Sequence, residues 1–275
     1  MYNRGMITDL PYLVTTSYSP TAPVQEKARQ VAEKLNVPMV DRDKQSLKSI
    51  YSRYNVSGII VVSKIKVSFH SPAGEFFFHP AKSTMRIKEI KAGKTDQMIK
   101  AMDLKPGYSM IDCTLGLATD AIVSAYVTGV QGNVVGLESS PVISTLVEMG
   151  LKEYTKGKKE VIEAMRRVRV LNVHHDQYLA RLVPNSFDVV YFDPMFRYPF
   201  KSADYPVNPL RPLADHTPLE RETIEEALRV ARLRVVMKER RNSKEFCRLG
   251  ADTITGGRHS PIGYGVWFAG NEGRL

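Results

Sequence analysis

The chain has 275 residues, 43% of them hydrophobic, enough for one large domain or a medium domain with a small companion. Its longest apolar runs are too short to span a bilayer, and two cysteines without a CxxC exclude a disulfide framework or a cysteine zinc site, so a cytosolic protein is expected and no metal. A formal net charge of +10 favours a polyanionic partner, of which nucleic acid is the commonest in the cytosol.

The first ~80 residues read as a small α/β unit. YLVTT (12–16) is a short strand. APVQEKARQVAEKLN (22–36) carries Val24, Ala28, Val31, Ala32 and Leu35 on one helical face. SGIIVVSKIKVSFH (57–70) is strand-like, and GEFFFHP (74–80) ends the unit. From there a larger domain, 81–275, is expected.

That domain alternates strands with helices. TDQMIKAMDL is helical; SMIDCT (109–114) is a strand; 118–129 is a helix closed by Gly129. NVVGLE (133–138) is a strand, after which Ser140 and Pro141 open a helix to about Tyr154. EVIEAMRR is a helix, VRVLNV (168–173) a strand, and FDVVYFD (187–193) another. Thr217-Pro218-Leu219-Glu220 has the pattern of a capping box before a helix. LRVVMKE (233–239) and GYGVWFA (263–269) are the last strands. This rhythm predicts a doubly wound, mostly parallel sheet, whose ligands bind beyond the carboxyl ends of the strands.

The strand ends carry the chemistry. In IDCTLGLATDA, Asp112 and Thr114 sit at the tip, Gly116 lets the chain turn, and Asp120 opens the next helix. The turn lacks the GxGxxG of a dinucleotide site, and its acids favour a ligand carrying positive charge. Glu138 ends the second strand, where a carboxylate accepts from both hydroxyls of a ribose. After the third strand, Asp176 can accept from an adenine amine with His175 beside the ring; a helix cap is the competing role for Asp176. The fourth strand ends Asp193-Pro194-Met195-Phe196, close to the (D/N/S)PP(Y/F) signature of enzymes that methylate exocyclic base amines. Such an amine is a poor nucleophile because its lone pair is delocalised into the ring. The Asp193 carboxylate and Pro194 carbonyl can accept its two hydrogens, and Phe196 can stack on the base. The stretch 197–216 interleaves Arg197, Tyr198, Lys201 and Arg211, as a nucleic-acid contact requires.

The segments IDCTLGLATDA, LESSPVISTLVEMGL, VVYFDPMF, KSA and RVVMKERR resemble a class I S-adenosylmethionine-dependent methyltransferase. Within that class they are similar to the ribosomal small-subunit RNA (guanine-N2) methyltransferase J family, over most of residues 93–240. The resemblance implies a Rossmann-like seven-stranded sheet and S-adenosylmethionine as cofactor. It also implies cofactor contacts from Thr119 and Asp120, from Glu138 and Ser139, and from Asp193 at the DPMF site. The substrate it implies is guanine N2 of small-subunit ribosomal RNA. Thr119 and Ser139 stand where that family has arginine, Arg197 where it has proline, and Lys238-Glu239-Arg240 replaces KRP. Methylation of another nucleobase, in RNA or DNA, and a non-catalytic RNA-binding role on the same scaffold stay open. The residues alone do not decide the oligomeric state.

Overall fold

A computed structural model of the chain describes residues 11–195 and 212–270. These fall into two compact units: residues 11–79 with 141–150 and 212–213, and residues 80–140, 151–195 and 214–270.

The first unit holds a four-stranded sheet in the order β1-β2-β3-β4, formed by β1 (Tyr12–Thr16), β2 (Gly58–Val62), β3 (Val67–Ser71) and β4 (Gly74–Phe77). β1 and β2 are parallel, and the other two pairings are antiparallel. α1 (Ala22–Leu35) buries Val24, Ala28, Val31 and Ala32, the face its periodicity predicts, and ends on Asn36 in the left-handed conformation. α2 (Leu47–Tyr54) is capped by the Ser46 side chain, which accepts from the Ser49 N–H, and it puts Ile50 into a core with Leu13, Val40, Val56 and Ile59. The expected single strand over 57–70 is instead a hairpin. Ser63 breaks it: its N–H donates to the Lys66 carbonyl at 3.0 Å and its hydroxyl to the same carbonyl at 2.8 Å, closing a tight turn between β2 and β3. Ser63 and Lys64-Ile65-Lys66 carry no glycine or proline to mark that turn, which is why the apolar run hides it.

The second unit opens with α3 (Ala81–Lys91) and α4 (Gln97–Met102), then β5 (Ser109–Asp112) and α5 (Thr119–Thr128). β6 (Asn133–Glu138) leads into α6 (Pro141–Glu153), whose first ten residues group with the first unit, and α7 (Lys159–Arg167) into β7 (Val168–Asn172). α8 (His175–Leu179), β8 (Phe187–Phe192), α9 (Arg221–Val230), β9 (Ala231–Arg240), α10 (Glu245–Arg248), β10 (Thr253–Thr255) and β11 (Ile262–Phe268) complete it. The sheet has seven strands in the order β7-β6-β5-β8-β9-β11-β10. Pairs among β7, β6, β5, β8 and β9 are parallel, and β11 is antiparallel to both β9 and β10. The chain therefore winds outward from β5 through β6 to β7, then returns to lay β8 on the other side of β5. The switch of direction between β5 and β8 opens a crevice at the strands' carboxyl ends.

Alternation along the strands sets what each face meets. Ile111, Val190, Phe192, Val235 and Met237 face one core, with Leu179 of α8, Ile224 and Ala227 of α9 and Phe246 of α10. The next residues along face the other side, where Tyr191 reaches Asp120 on α5. Both faces are covered, so the central strands read as near-continuous apolar runs. One prediction differs at α9. The helix begins at Arg221 with Glu220 as its cap residue, and no side chain caps it. Thr217 is not that cap; its N–H donates to the Asp215 carboxylate at 2.8 Å.

Candidate active site

Four predicted strand ends lie along the carboxyl edge of the seven-stranded sheet, and hydrogen bonds tie them together. Asp112 ends β5, is 1% exposed, and accepts from the Thr114 N–H at 3.1 Å. The Thr114 hydroxyl accepts in turn from the Asp193 N–H at 2.5 Å, which pins the residue after β8 to the residue after β5. Gly116 takes φ +48°, a left-handed conformation that favours glycine. Its N–H donates to one oxygen of Glu138 at 3.0 Å, while the other oxygen accepts from the Ser140 N–H at 2.9 Å. Leu115 packs over Gly136 of β6 so closely that a Cβ there would lie 2.3 Å from the leucine side chain. The β5–α5 turn is thus pressed onto β6, and Glu138 is brought to its backbone.

The turn hands over to α5 at Ala118, itself left-handed at φ +57°. Thr119 follows, and its carbonyl accepts from the Ser83 hydroxyl at 3.3 Å. Ser139 is half-buried; its carbonyl and that of Glu138 accept from the Asn172 amide at 3.1 and 2.7 Å. Past β7, His174 caps α8 by accepting from the Asp176 N–H at 3.3 Å, so the cap belongs to His174 and not to Asp176. Asp176 accepts instead from the Thr223 hydroxyl at 2.9 Å. The His175 ring meets Phe192 edge-on at 5.6 Å and stacks on His174 at 4.2 Å. A cavity of ≈ 340 Å³ opens here, lined by His174, His175, Asp176, Thr217, Glu220 and Thr223 among others. The ligand atoms of His174, His175 and Asp176 lie within 4.8 Å of one another, a spacing that admits a cation. His174 already shares one ring nitrogen with Asp215 at 2.9 Å.

Asp193 and Asp120 belong to one buried charge network. Lys238, which follows the apolar run Val235-Val236-Met237 of β9, places its ammonium 2.6 Å from Asp193 and 3.2 Å from Asp120. Arg86 of α3 pairs with Asp96 through two bonds of 2.8 and 2.9 Å and also donates to Asp120. The Tyr191 hydroxyl donates to Asp120 at 2.8 Å. Burial disfavours charge on Asp120, but Lys238 and Arg86 outweigh it and hold the carboxyl below its usual range. Burial also works against the Lys238 ammonium, and the two aspartates more than compensate. Asp193 fares differently. Burial and the neighbouring Asp120 push its carboxyl up to about 6, against the pull of Lys238. Burial raises Asp112 well above its usual range, with Asp120 adding to it, and raises Glu138 against the two N–H groups it accepts from.

These residues suit a nucleoside-bearing cation. Each Glu138 oxygen accepts one backbone N–H and keeps a lone pair for a ribose hydroxyl. The left-handed turn at Gly116 brings bare backbone to the crevice, and the acids at the strand tips offset positive charge. The two basic side chains of the network are both already paired to acids.

A family model described as "Putative SAM-dependent methyltransferase" matches residues 69–259. The chain belongs to this family. It is an S-adenosylmethionine-dependent methyltransferase, and S-adenosylmethionine is its cofactor. The uncharacterized protein YpiP of Bacillus subtilis is 38% identical over 243 residues, covering 88% of this chain and 94% of that protein. Ribosomal RNA small subunit methyltransferase J of Pseudomonas syringae pv. tomato is 28% identical over 80% of this chain and 79% of its own length. The enzyme of the same name from Haemophilus ducreyi is 37% identical over 120 residues, 42% of this chain and 45% of that protein. A solved SAM-dependent methyltransferase from Neisseria gonorrhoeae shares the fold, with a TM-score of 0.63 at 16% identity, over 94% of this chain and 96% of that one. Among the described residues no helix of the methyltransferase is long and apolar enough to cross a membrane.

Sequence reasoning placed Asp112, Thr114, Gly116, Thr119, Asp120, Glu138, Ser139, His175, Asp176, Asp193 and Pro194 at strand ends or the helix starts after them, and there the structure has them. Phe196, Arg197, Tyr198, Lys201 and Arg211 lie outside the described residues. It missed Lys238, Arg86, Asp96 and Tyr191 as partners of the acids. One signal was available for Lys238: a lysine following VVM in an apolar strand needs a buried counter-charge.

Proposed function

We propose that this methyltransferase modifies the exocyclic N2 amine of a guanine in small-subunit ribosomal RNA. The observation that carries the reading is the setting of Asp193. Its backbone N–H is held by Thr114, one carboxylate oxygen is held by Lys238 at 2.6 Å, and its Oδ1 meets no donor among the described residues. That oxygen and the Pro194 carbonyl are two acceptors at one strand tip. Together they take the two hydrogens of an amine and favour a pyramidal nitrogen with its lone pair free. Phe196 stacks on the base. No strong base is needed, because the proton leaves once the nitrogen is alkylated.

Glu138 takes the ribose hydroxyls of the cofactor, and the turn carrying Asp112, Thr114 and Gly116 takes its amino-acid end, with Thr119, Asp120 and Ser139 beside it. Asp176 accepts from the adenine amine, with His175 against the ring. When bound, the cofactor supplies the methyl group as a positively charged sulfonium. The name shared by the Pseudomonas and Haemophilus relatives supports ribosomal RNA as the acceptor, as does the net charge of +10. Such a substrate puts the enzyme in the cytoplasm. The N-terminal unit, within residues 1–80, helps hold the RNA.

The test is nucleoside mass spectrometry of small-subunit ribosomal RNA from cells with and without the gene. Loss of one N2-methylguanosine is expected. An unchanged profile, or loss of a methylated adenine, overturns the assignment.

A further inference from the structure

At one end of the four-stranded sheet, two exposed aromatic rings are each paired with a cation, one buried and one at the surface. The chain leaving β1 stays beside β2, since the Ser17 N–H donates to the Val62 carbonyl at 2.8 Å, and Tyr18 follows, 55% exposed. A third segment arrives alongside. Val40 donates to the Val14 carbonyl at 2.9 Å, and two residues later the Arg42 guanidinium lies 4.6 Å from the centre of the Tyr18 ring. The β2–β3 turn lies at the same end, with Ile65 84% exposed at its tip. Phe77, cross-strand from Ser68, is next to that turn; it is 38% exposed and carries the Lys66 ammonium 3.7 Å from its ring centre.

Arg42 is the informative member. The residue is 9% exposed, and its Nε and Nη1 are buried with no acceptor. Asp41 and Asp43 flank it in sequence, yet neither carboxylate takes those donors. Buried guanidinium donors without acceptors are costly, and a phosphate is the group whose planar pairs of oxygens fit them. Lys66 is shared with Glu75 at 2.7 Å, while Lys44 and Lys64 are exposed nearby in sequence and make no ion pair among the described residues.

We propose that this end of the sheet binds single-stranded RNA, with bases stacking on Tyr18 and Phe77 and phosphates taken by Arg42 and Lys66. Stacking platforms beside cations are what such binding requires, and every base offers a face to stack. The inference rests on the reading of RNA as substrate and adds which residues of the N-terminal unit grip it.

The test uses the full chain and a fluorescein-labelled 12-nucleotide oligouridylate, read by anisotropy across a salt series. Tyr18→Ala and Phe77→Ala should each weaken binding about fivefold to 150-fold, the loss of one stacked base. Tyr18→Phe should bind as wild type. Lys66→Gln should flatten the log–log salt dependence by about 0.7, the share of one phosphate left unneutralised, and Arg42→Gln with Lys66→Gln by about 1.4. Affinity for S-adenosylmethionine, by calorimetry, should not change in any of them. Because Tyr18, Phe77 and Lys66 are at the surface, their variants test the surface even if the buried Arg42 position does not tolerate glutamine. Affinities within twofold of wild type and an unchanged salt slope in the Tyr18, Phe77 and Lys66 variants overturn the proposal. If these effects appear while the wild type leaves ribosomal RNA unmethylated, the surface stands and the assigned target fails. If ribosomal RNA is methylated with unaltered KM in all variants, the surface fails and the target stands.

Discussion

Lys238→Met removes the one cation that, among the described residues, touches both Asp120 and Asp193, and replaces it with a side chain of similar length. In the proposed reaction Asp193 acts as a carboxylate, so the wild-type rate should rise with pH through about 6, where burial and Asp120 have moved this group. A charge-assisted hydrogen bond of this kind is worth roughly 1.5–3 kcal/mol. At 1.36 kcal/mol per pH unit, its loss raises the Asp193 carboxyl by a further ~1–2 units, to about 7–8. At pH 7 the ionised fraction then drops from about nine-tenths to between about one half and one tenth, a two- to tenfold loss of rate that recovers by about pH 9. Arg86 and Tyr191 still hold Asp120, so the fold should survive. The assay is single-turnover methyl transfer to ribosomal RNA between pH 5 and 9.5, with Lys238→Arg as the charge-preserving control. An acid limb that stays at the wild-type pH in Lys238→Met would refute the role given to this pair.

Other outcomes follow from the same geometry. Glu138→Ala should weaken S-adenosylmethionine binding by roughly 1.5–3 kcal/mol for each charge-assisted bond removed; unchanged affinity by calorimetry removes Glu138 from the cofactor site. Asp193→Ala should abolish turnover and leave cofactor binding largely intact, whereas Phe196→Ala should mainly raise KM for RNA by about 1–3 kcal/mol of missing stacking and Phe196→Tyr should not. Near wild-type methylation by Asp193→Ala would end the amine-activation reading. Asp112 is easier to protonate folded than unfolded, so the native state holds the extra proton and stability is lost as pH rises above its unfolded value of about 4. Asp112→Asn removes that loss, so its stability relative to wild type, from denaturant titration, should be greater at pH 8 than at pH 4. A pH-independent difference contradicts it.

What the sequence determined by itself is the part of the protein written in short range. The alternation of apolar runs with helical periods was enough for the doubly wound sheet, because each strand and helix carries its own period and its own stop. The glycine turn after Asp112, the acid ending NVVGLE and the DPMF run were legible because strand ends in such a sheet share one edge whatever the loops do. The family resemblance rested on those same segments. Tertiary structure decided what the acids meet. Arg86 is 34 residues from Asp120 and Lys238 is 118 away, and no local pattern joins them; α3 and the interior of β9 bring both cations to one carboxylate. The same holds for Leu115 over Gly136, which presses the turn onto Glu138, and for His174 taking the cap that was the competing role for Asp176. The hairpin at Ser63 was hidden because no glycine or proline marks its turn, and only the pairing of β2 with β3 reveals it; the late start of α9 was hidden because Thr217 offers a capping pattern upstream, while its N–H turns to Asp215 instead. Periodicity specifies which residues face inward, while the partner each buried charge finds depends on contacts that exist only once the sheet has closed.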